Sequence, residues 1–288
     1  MVWINALIQG VMLGGLYALF AAGLSLMFGV MRFVNIAHGD FIVVGAYLIF
    51  TFVISWGLSP VVGVAMVVLI LGLAGYINQR ILLNRALGKD ILPPILITFG
   101  MSIILQNGLL ELYSADSRKL PTGMFETASL QLSDQIAVGV LPLLMFVTAI
   151  AVIWALQLVF YKTSLGRMLR ATSDDAEIVP LMGGNRGHTF ALATALASVV
   201  VGIAGIWLAM KTNFDPAAGP ARLLFAFEAV IIGGLGNLWG TLLGGIILGV
   251  AQTLGAQVDA GFQILAGHLV FLLVLIFRPT GLTPKVAH

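Results

Sequence analysis

Residues 5–31, NALIQGVMLGGLYALFAAGLSLMFGVM, form an apolar run without a single charged residue. A membrane-spanning helix needs about 20 predominantly apolar residues. The run is about twice as long as the apolar core of a cleavable signal peptide, and no Lys or Arg precedes Arg32. We therefore interpret it as a retained membrane span.

The whole chain has the composition of a membrane protein. Of its 288 residues, 60% are hydrophobic and 9% are charged, and the mean hydropathy is +1.07. A soluble protein has about 25% charged residues, because a polar surface must cover its core. The composition excludes a soluble enzyme, a disordered chain and a nucleic-acid-binding protein. The absence of cysteine excludes disulfides and thiolate metal sites.

Nine apolar segments can be distinguished along the chain, and eight or nine of them are expected to span the membrane. The sequence therefore predicts an all-α fold, a polytopic membrane helix bundle that includes short or broken helices and forms one domain over residues 1–288. The long segments are 5–31, 60–83, 92–113, 136–161 and 189–210. The short segments are 40–55, 223–235, 241–258 and 262–277.

The distribution of basic residues predicts the orientation. Alternating spans place ten Lys and Arg residues on one side of the membrane and four on the other. Because cytoplasmic loops carry an excess of Lys and Arg, the C-terminus is expected in the cytoplasm and, with nine spans, the N-terminus outside. Two loops are long enough to have a shape of their own, an outer loop at 114–135 and a cytoplasmic loop at 162–186.

The cytoplasmic loop is the most charged part of the chain. Asp174, with Glu177 three residues later, has the pattern of a helix start, and Gly183 and Gly184 supply a stop. A helix begun at Asp174 would carry an apolar edge, distorted by Pro180. Such a projecting helix could couple the spans to a separate ATPase; alternatively, the loop rests on the membrane surface. The candidate coupling residues are Arg167, Arg170, Asp174, Asp175, Glu177, Ile178, Leu181 and Met182.

Several polar side chains are predicted near membrane depth, where they often line a pathway or cavity. Asn35, His38 and Asp40 lie beside Gly39, and this pattern predicts a helix break between Asn35 and Gly45 with His38 or Asp40 facing protein or water. The alternative is a turn at the membrane rim. Glu228 is the best candidate for an intramembrane carboxylate, and these four polar residues are the candidate translocation pathway.

Gln106 and Asn107 are expected to form hydrogen bonds between helices. Glycines recur every four residues near the C-terminus, a pattern that lets helix backbones approach closely. Close packing is favoured over ligand contact, and a tight hairpin is expected at 237–240. The candidate packing or gating residues are Gly233, Gly234, Gly236, Gly240 and Gly244.

The sequence contains no phosphate-binding loop, no H-E-x-x-H metal motif and no G-x-S-x-G nucleophile motif. The chain is therefore not expected to be an enzyme or to hydrolyse ATP. Three functions stay open on these residues: a subunit of an ATP-driven importer, an autonomous channel or ion-coupled carrier that uses Glu228 and Asp40, and a membrane scaffold.

Four stretches resemble the LivH-type permeases of bacterial branched-chain amino-acid ABC transporters. They are GGLYALFAAGLSLMFGVMRFVNIAHGDFIVVGAYL at 14–48, LGRMLRATSDDAEIVPLMGGN at 165–185, VIIGGLGNLWGTLLGGIILG at 230–249 and FRPTGL at 277–282. In that family the second stretch is the ATPase-coupling loop. The chain departs from the usual pattern at Pro180, Glu228 and Trp239, which leaves the substrate open among branched-chain and other amino acids, urea and short amides.

The resemblance implies a multi-pass permease of the bacterial inner membrane, with the loop at 114–135 in the periplasm. The implied partners are a LivM-like second permease, LivG- and LivF-like ATPase subunits, a periplasmic substrate-binding protein and membrane lipid, with no nucleic acid. No cofactor is expected on this chain, because ATP and magnesium would be held by the ATPase subunits.

Overall fold

The fold is a bundle of long apolar helices. A computed structural model describes residues 2–88, 90, 92–133, 136–176 and 179–283. The helices are α1 (Val2–Met31), α2 (His38–Phe50), α3 (Pro60–Asn78), α4 (Asn84–Ala86), α5 (Leu92–Tyr113), α6 (Met124–Thr127), α7 (Val140–Lys162), α8 (Ser164–Asp174), α9 (Arg186–Lys211), α10 (Gly219–Gly233), α11 (Leu238–Val258) and α12 (Phe262–Phe277). An antiparallel hairpin of β1 (Ser129–Ser133) and β2 (Ile136–Gly139) precedes α7.

Wider helical turns extend two of these helices. A π-helical turn, Thr51–Ser55, lengthens α2, and another, Gln79–Leu83, joins α3 to α4. Within the described residues, seven helices are long and apolar enough to cross a membrane, and Phe262–Phe277 is a shorter apolar helix. The prediction of an all-α polytopic bundle with short and broken helices is confirmed. Helix α10 has only 15 residues, so it is too short to cross the bilayer fully as a straight helix.

The described helices divide into a buried centre and an apolar periphery. In the apolar 18-residue stretches of α1 and α9, 78% and 67% of the residues are buried. The corresponding values for the spans that contain α3, α5 and α7 are 22%, 17% and 22%. Helix α1 packs against α7, α9, α10 and α11. The outer helices therefore present apolar side chains outward, as helices in contact with lipid do.

Glycines allow α1, α10 and α11 to approach closely. A Cβ atom on Gly245 would lie 2.6 Å from the carbonyl oxygen of Gly14, closer than side chains pack, and a Cβ on Gly244 would overlap the carbonyl of Ala229. Gly233 and Gly240 meet in the same way at the crossing of α10 and α11. The close packing predicted from the glycine spacing is therefore present.

The turn between α10 and α11 depends on two further glycines. Gly234 and Gly236 have φ values of +108° and +77°, which glycine adopts without the strain of a side chain. Asn237 Oδ1 then accepts a hydrogen bond of 3.0 Å from the Gly240 backbone N–H, an N-cap for α11. The turn therefore lies at 234–237, just before the stretch predicted to form it.

The bundle has two faces. The α8 face carries α8, the α10–α11 turn and residues 278–283, because Ser173 contacts Gly29, Gly29 approaches Gly236, and Gly281 packs on Gly234. The hairpin face carries β1, β2 and the described part of 114–135. There the backbone N–H of Arg118 donates to the carbonyl of Phe214, between α9 and α10, over 2.9 Å.

Candidate functional site

The predicted helix break between α1 and α2 is present. Residues 32–37 are not helical, and Arg32 has a φ of +56°. Asn35 Oδ1 accepts a hydrogen bond of 3.0 Å from the Ala37 N–H, and His38 Nε2 lies 2.7 Å from the Phe20 carbonyl oxygen. His38 and Asp40 are each 1% exposed. Both side chains therefore face protein, and the break lies inside the bundle.

Asp40 joins three helices. Gln106 Nε2 in α5 donates a hydrogen bond of 2.9 Å to Asp40 Oδ1, and Gly219 at the start of α10 packs directly against the Asp40 side chain. The prediction that Gln106 bonds between helices is confirmed. Asn107 instead donates to the carbonyl of Ile103 in its own helix. Asp40 is thus a buried acceptor that holds α2, α5 and α10 together.

Glu228 contacts His268 across α10 and α12. The Glu228 side chain is 1% exposed, and its Oε1 contacts His268 Nδ1. The His268 ring stacks on Phe225, with ring centroids 6.3 Å apart. The sequence places both polar residues at membrane depth but gives no sign of their pairing, because 40 residues separate them. Glu228 lies apart from Asn35, His38 and Asp40, which cluster at the α1–α2 break.

The loop at 162–186 folds differently from the prediction. Helix α8 runs from Ser164 to Asp174, so Asp174 ends a helix and does not begin one. Thr163 supplies the N-cap, because its Oγ1 accepts a hydrogen bond of 3.0 Å from the Gly166 N–H. Between Asp175 and α9, the described residues form a 3₁₀ turn, Val179–Met182, and Pro180 within it lacks the backbone N–H that an α-helix needs. Glu177 and Ile178 lie outside the described residues.

Helix α8 is attached to the bundle by an apolar and a polar contact. Leu169 is fully buried with Val30 of α1 and Phe190 of α9. Ser173 Oγ donates a hydrogen bond of 2.6 Å to the Gly29 carbonyl oxygen. Arg32 donates one of 3.3 Å to the Ser173 carbonyl. The helix therefore cannot shift without acting on the ends of α1 and α9.

One of the predicted coupling residues contacts the neighbouring helix, and others are exposed. Arg170 stacks over the Tyr161 ring at 5.1 Å. Arg167, Asp174 and Asp175 are exposed. Leu181 in the 3₁₀ turn is 84% exposed and follows Asp174 and Asp175 in the same loop.

The C-terminal stretch FRPTGL packs against the α10–α11 turn. The backbone N–H of Leu282 donates a hydrogen bond of 2.9 Å to the Ile232 carbonyl oxygen. Thr283 Oγ1 donates one of 2.6 Å to the Gly233 carbonyl oxygen. The glycines singled out from the sequence are thus held in place at the α8 face by the end of the chain.

A polar cavity of about 390 Å³ opens at the hairpin face. It lies between α1, α7, α10, α11 and α12, beside Lys211, the last residue of α9. Sequence reasoning did not identify it, because its lining comes from six distant segments and its two cations could only be assigned to outer loops. The lining residues are Gln9, Leu13, Tyr17, Pro142, Met145, Lys211, Thr212, Arg222, Phe225, Gln252, Thr253, Gln263 and Ile264.

The floor of the cavity is formed by aromatic and amide side chains. Tyr17 donates a short hydrogen bond to Gln252 Oε1, and the rings of Tyr17 and Phe225 lie 5.1 Å apart. Phe225 separates the cavity from the Glu228–His268 pair, since its ring also stacks on His268. None of Asn35, His38, Asp40 and Glu228 is among the described residues that line the cavity.

Comparison with known proteins reveals a family match over almost the whole chain. Residues 6–278 match the family described as branched-chain amino acid transport system / permease component. The chain is 30% identical to the high-affinity branched-chain amino acid transport system permease protein BraD of Pseudomonas aeruginosa, over 97% of this chain and 95% of that one. It is 27% identical to the permease protein LivH of Salmonella typhimurium, with the same two coverages. A fructose import permease, FrcC of Rhizobium meliloti, is also 27% identical, over 75% of this chain and 61% of that one.

Proposed function

The chain belongs to the family of permease components of branched-chain amino acid transport systems, and on that premise we propose that it carries branched-chain amino acids as a membrane subunit of an ATP-driven importer. The named relatives transport branched-chain amino acids, and the bundle of apolar helices is suited to the membrane. A related chain is a fructose importer, so the family match alone does not define the cargo.

The observation that carries this proposal is the exposed Leu181 at the α8 face. A leucine that is 84% exposed in a charged loop would become a buried anchor if a partner covered it. Arg167, Asp174 and Asp175 precede it in the same loop and would form the polar rim. We assign this surface, residues 164–182, to an ATPase subunit.

Helix α8 would transmit the movement of that subunit to the spans. Its buried Leu169 and its Ser173–Gly29 hydrogen bond connect it to α1 and α9. These are the most buried helices of the bundle. A displacement at the ATPase would thus reach the helices that hold the core together.

The orientation and the partners that we propose follow from this assignment. The α8 face would lie in the cytoplasm, with the C-terminus, and the hairpin face and N-terminus would lie in the periplasm, across the bacterial inner membrane. The partners would be a LivM-like second permease, two ATPase subunits that bind ATP and magnesium, and a periplasmic binding protein that delivers the cargo at the hairpin face.

Substitution of Leu181 tests the docking surface. Leu181→Asp should prevent co-purification of the ATPase subunits and abolish ATP-driven uptake, because a carboxylate would be buried without a partner. Leu235→Asp is the matched control, since Leu235 is 39% exposed in the α10–α11 turn on the same face. Equal ATPase binding by the two variants, with both inserted in the membrane, would disprove the assignment.

A further inference from the structure

The cavity at the hairpin face carries two cationic side chains. Lys211 and Arg222 both line it, and no Asp or Glu is among its described lining residues. The acidic residue nearest to both in the sequence, Asp215, lines a different cavity with Gln106. Its Oδ1 accepts a hydrogen bond of 2.9 Å from the Ala217 N–H. Asp215 is close enough to Arg222 to interact with it electrostatically, but no carboxylate among the described lining residues offsets the charges of Lys211 and Arg222.

Two of the residues that line the cavity carry hydrogen-bond donors without acceptors. Within the described part of the chain, Arg222 Nε and Gln252 Nε2 are both buried and have no hydrogen-bond partner. Gln252 is 1% exposed, and its Oε1 is already occupied by Tyr17. A buried donor without an acceptor is unfavourable, because it has lost its hydrogen bonds to water and gained none in the protein. A bound group with oxygen acceptors would satisfy both donors.

We propose that this cavity is a subsite for the α-carboxylate of the transported amino acid. This inference rests on the proposed function and adds the chemical group by which the permease recognises its cargo. Arg222 and Gln252 would donate to the carboxylate oxygens, and Lys211 would add positive charge. Leu13, Met145 and Ile264 supply apolar wall for an aliphatic side chain. The volume of about 390 Å³ lies within the usual range for a small-molecule site.

The position of the cavity fits the entry of cargo. Gln9, Leu13 and Tyr17 come from the half of α1 that is distant from α8, and Lys211 ends the helix that begins at the loop 162–186. The cavity thus opens at the face opposite α8. A carboxylate bound there would be reached from that face.

A cysteine reporter tests the charge of the cavity directly, because the chain has no cysteine of its own. Ile264→Cys places a thiol on the cavity wall, and Leu130→Cys, on the hairpin and 50% exposed, is the matched control. Both are assembled with the partner subunits, freed of reactive cysteines, in phosphatidylcholine nanodiscs. At Ile264→Cys, an anionic methanethiosulfonate reagent should react about tenfold faster than a cationic one, relative to Leu130→Cys. Equal ratios at the two positions would overturn the proposal.

Substitution of the two cavity cations tests whether they cause the preference for the anionic reagent. Arg222→Gln or Lys211→Gln should reduce the preference for the anionic reagent, while Arg222→Lys should keep it. Lys119→Gln removes a charge from the same face, where Lys119 is paired with Glu126 and is not among the described lining residues. Because Lys119 acts electrostatically on Lys211, this variant should reduce the preference, but by less than the loss of either cavity cation. An equal loss in Lys119→Gln would show a general surface potential and would contradict the site.

Protection of Ile264→Cys from modification by added ligands shows which kind of molecule binds in the cavity. L-Leucine at millimolar concentration should slow modification of Ile264→Cys, whereas L-leucinamide, which lacks the carboxylate, should not. If phosphatidylglycerol in the nanodisc protects and leucine does not, the site binds lipid headgroups and the proposal fails. If the binding protein protects equally with and without leucine, Lys211 and Arg222 form a contact surface for that protein and the proposal also fails.

Uptake by the same assembly separates this inference from the proposed function. ATP-driven leucine uptake without protection by leucine would overturn the carboxylate subsite and leave the importer intact. Protection without ATP-driven uptake would support the subsite and contradict the importer.

Discussion

Ser173 in α8 donates a hydrogen bond of 2.6 Å to the carbonyl oxygen of Gly29 in α1. The two residues are 144 positions apart in the chain, and they join α8 to α1, which has the highest buried fraction among the seven long apolar helices described. Gly29 in turn approaches Gly236 in the α10–α11 turn. A movement of α8 would therefore reach both the centre of the bundle and its glycine-rich hairpin.

Loss of this hydrogen bond should uncouple ATP hydrolysis from transport. A hydrogen bond of this kind contributes about 1 kcal/mol, so Ser173→Ala should reduce the leucine transported per ATP hydrolysed by up to about fivefold. Binding of the ATPase subunits should not change. Ser164→Ala, which removes an exposed hydroxyl from the same helix, serves as the control. An unchanged ratio in Ser173→Ala would show that the bond has no part in coupling.

Close contact between α2 and α10 makes Gly219 sensitive to any side chain. A Cβ on Gly219 would overlap the Asp40 carboxylate, and overpacking of this kind costs about 1–3 kcal/mol. Gly219→Ala should therefore lower the thermal unfolding midpoint of the purified protein. Gly108→Ala in α5 meets no atom within 4 Å and should be neutral or slightly stabilising. Equal midpoints for the two variants would contradict the packing.

The Glu228–His268 pair distinguishes an importer from an ion-coupled carrier. Glu228→Gln keeps an oxygen that can accept from His268 Nδ1, so ATP-driven uptake should persist. Glu228→Leu leaves the histidine without its partner and should destabilise the protein by about 1–3 kcal/mol. A carrier that moves a proton through Glu228 would lose uptake in Glu228→Gln, and that loss with a normally folded protein would favour the alternative.

Long apolar segments were predictable because the hydrophobicity of consecutive residues is enough to define them. The bounds 92–113 and 262–277 agree with the structure to the residue, and Gly39 with its polar neighbours correctly indicated the break before α2. The helix in the loop at 162–186 was placed about ten residues too late. Asp174 and Thr163 are both residue types that cap helices, and in the described part of this loop it is the Thr163 hydroxyl that caps α8.

Contacts between distant segments were beyond the reach of sequence patterns. The Glu228–His268 pair and the cavity around Lys211 and Arg222 depend on how α10, α11 and α12 cross. Helix crossings follow from side-chain packing over the whole bundle, which no local motif encodes. Leu181 was identified as a candidate anchor, but its exposure became evident only in the fold.

Uptake of radiolabelled leucine into proteoliposomes tests the central claim most directly. The chain should be reconstituted alone and together with its second permease, ATPase subunits and leucine-loaded binding protein. We expect uptake only in the complete assembly, and only when ATP is supplied on the side of the α8 face. Leucine uptake by the chain alone, driven by an ion gradient or by diffusion without ATP, would contradict the assignment of this protein as an importer subunit.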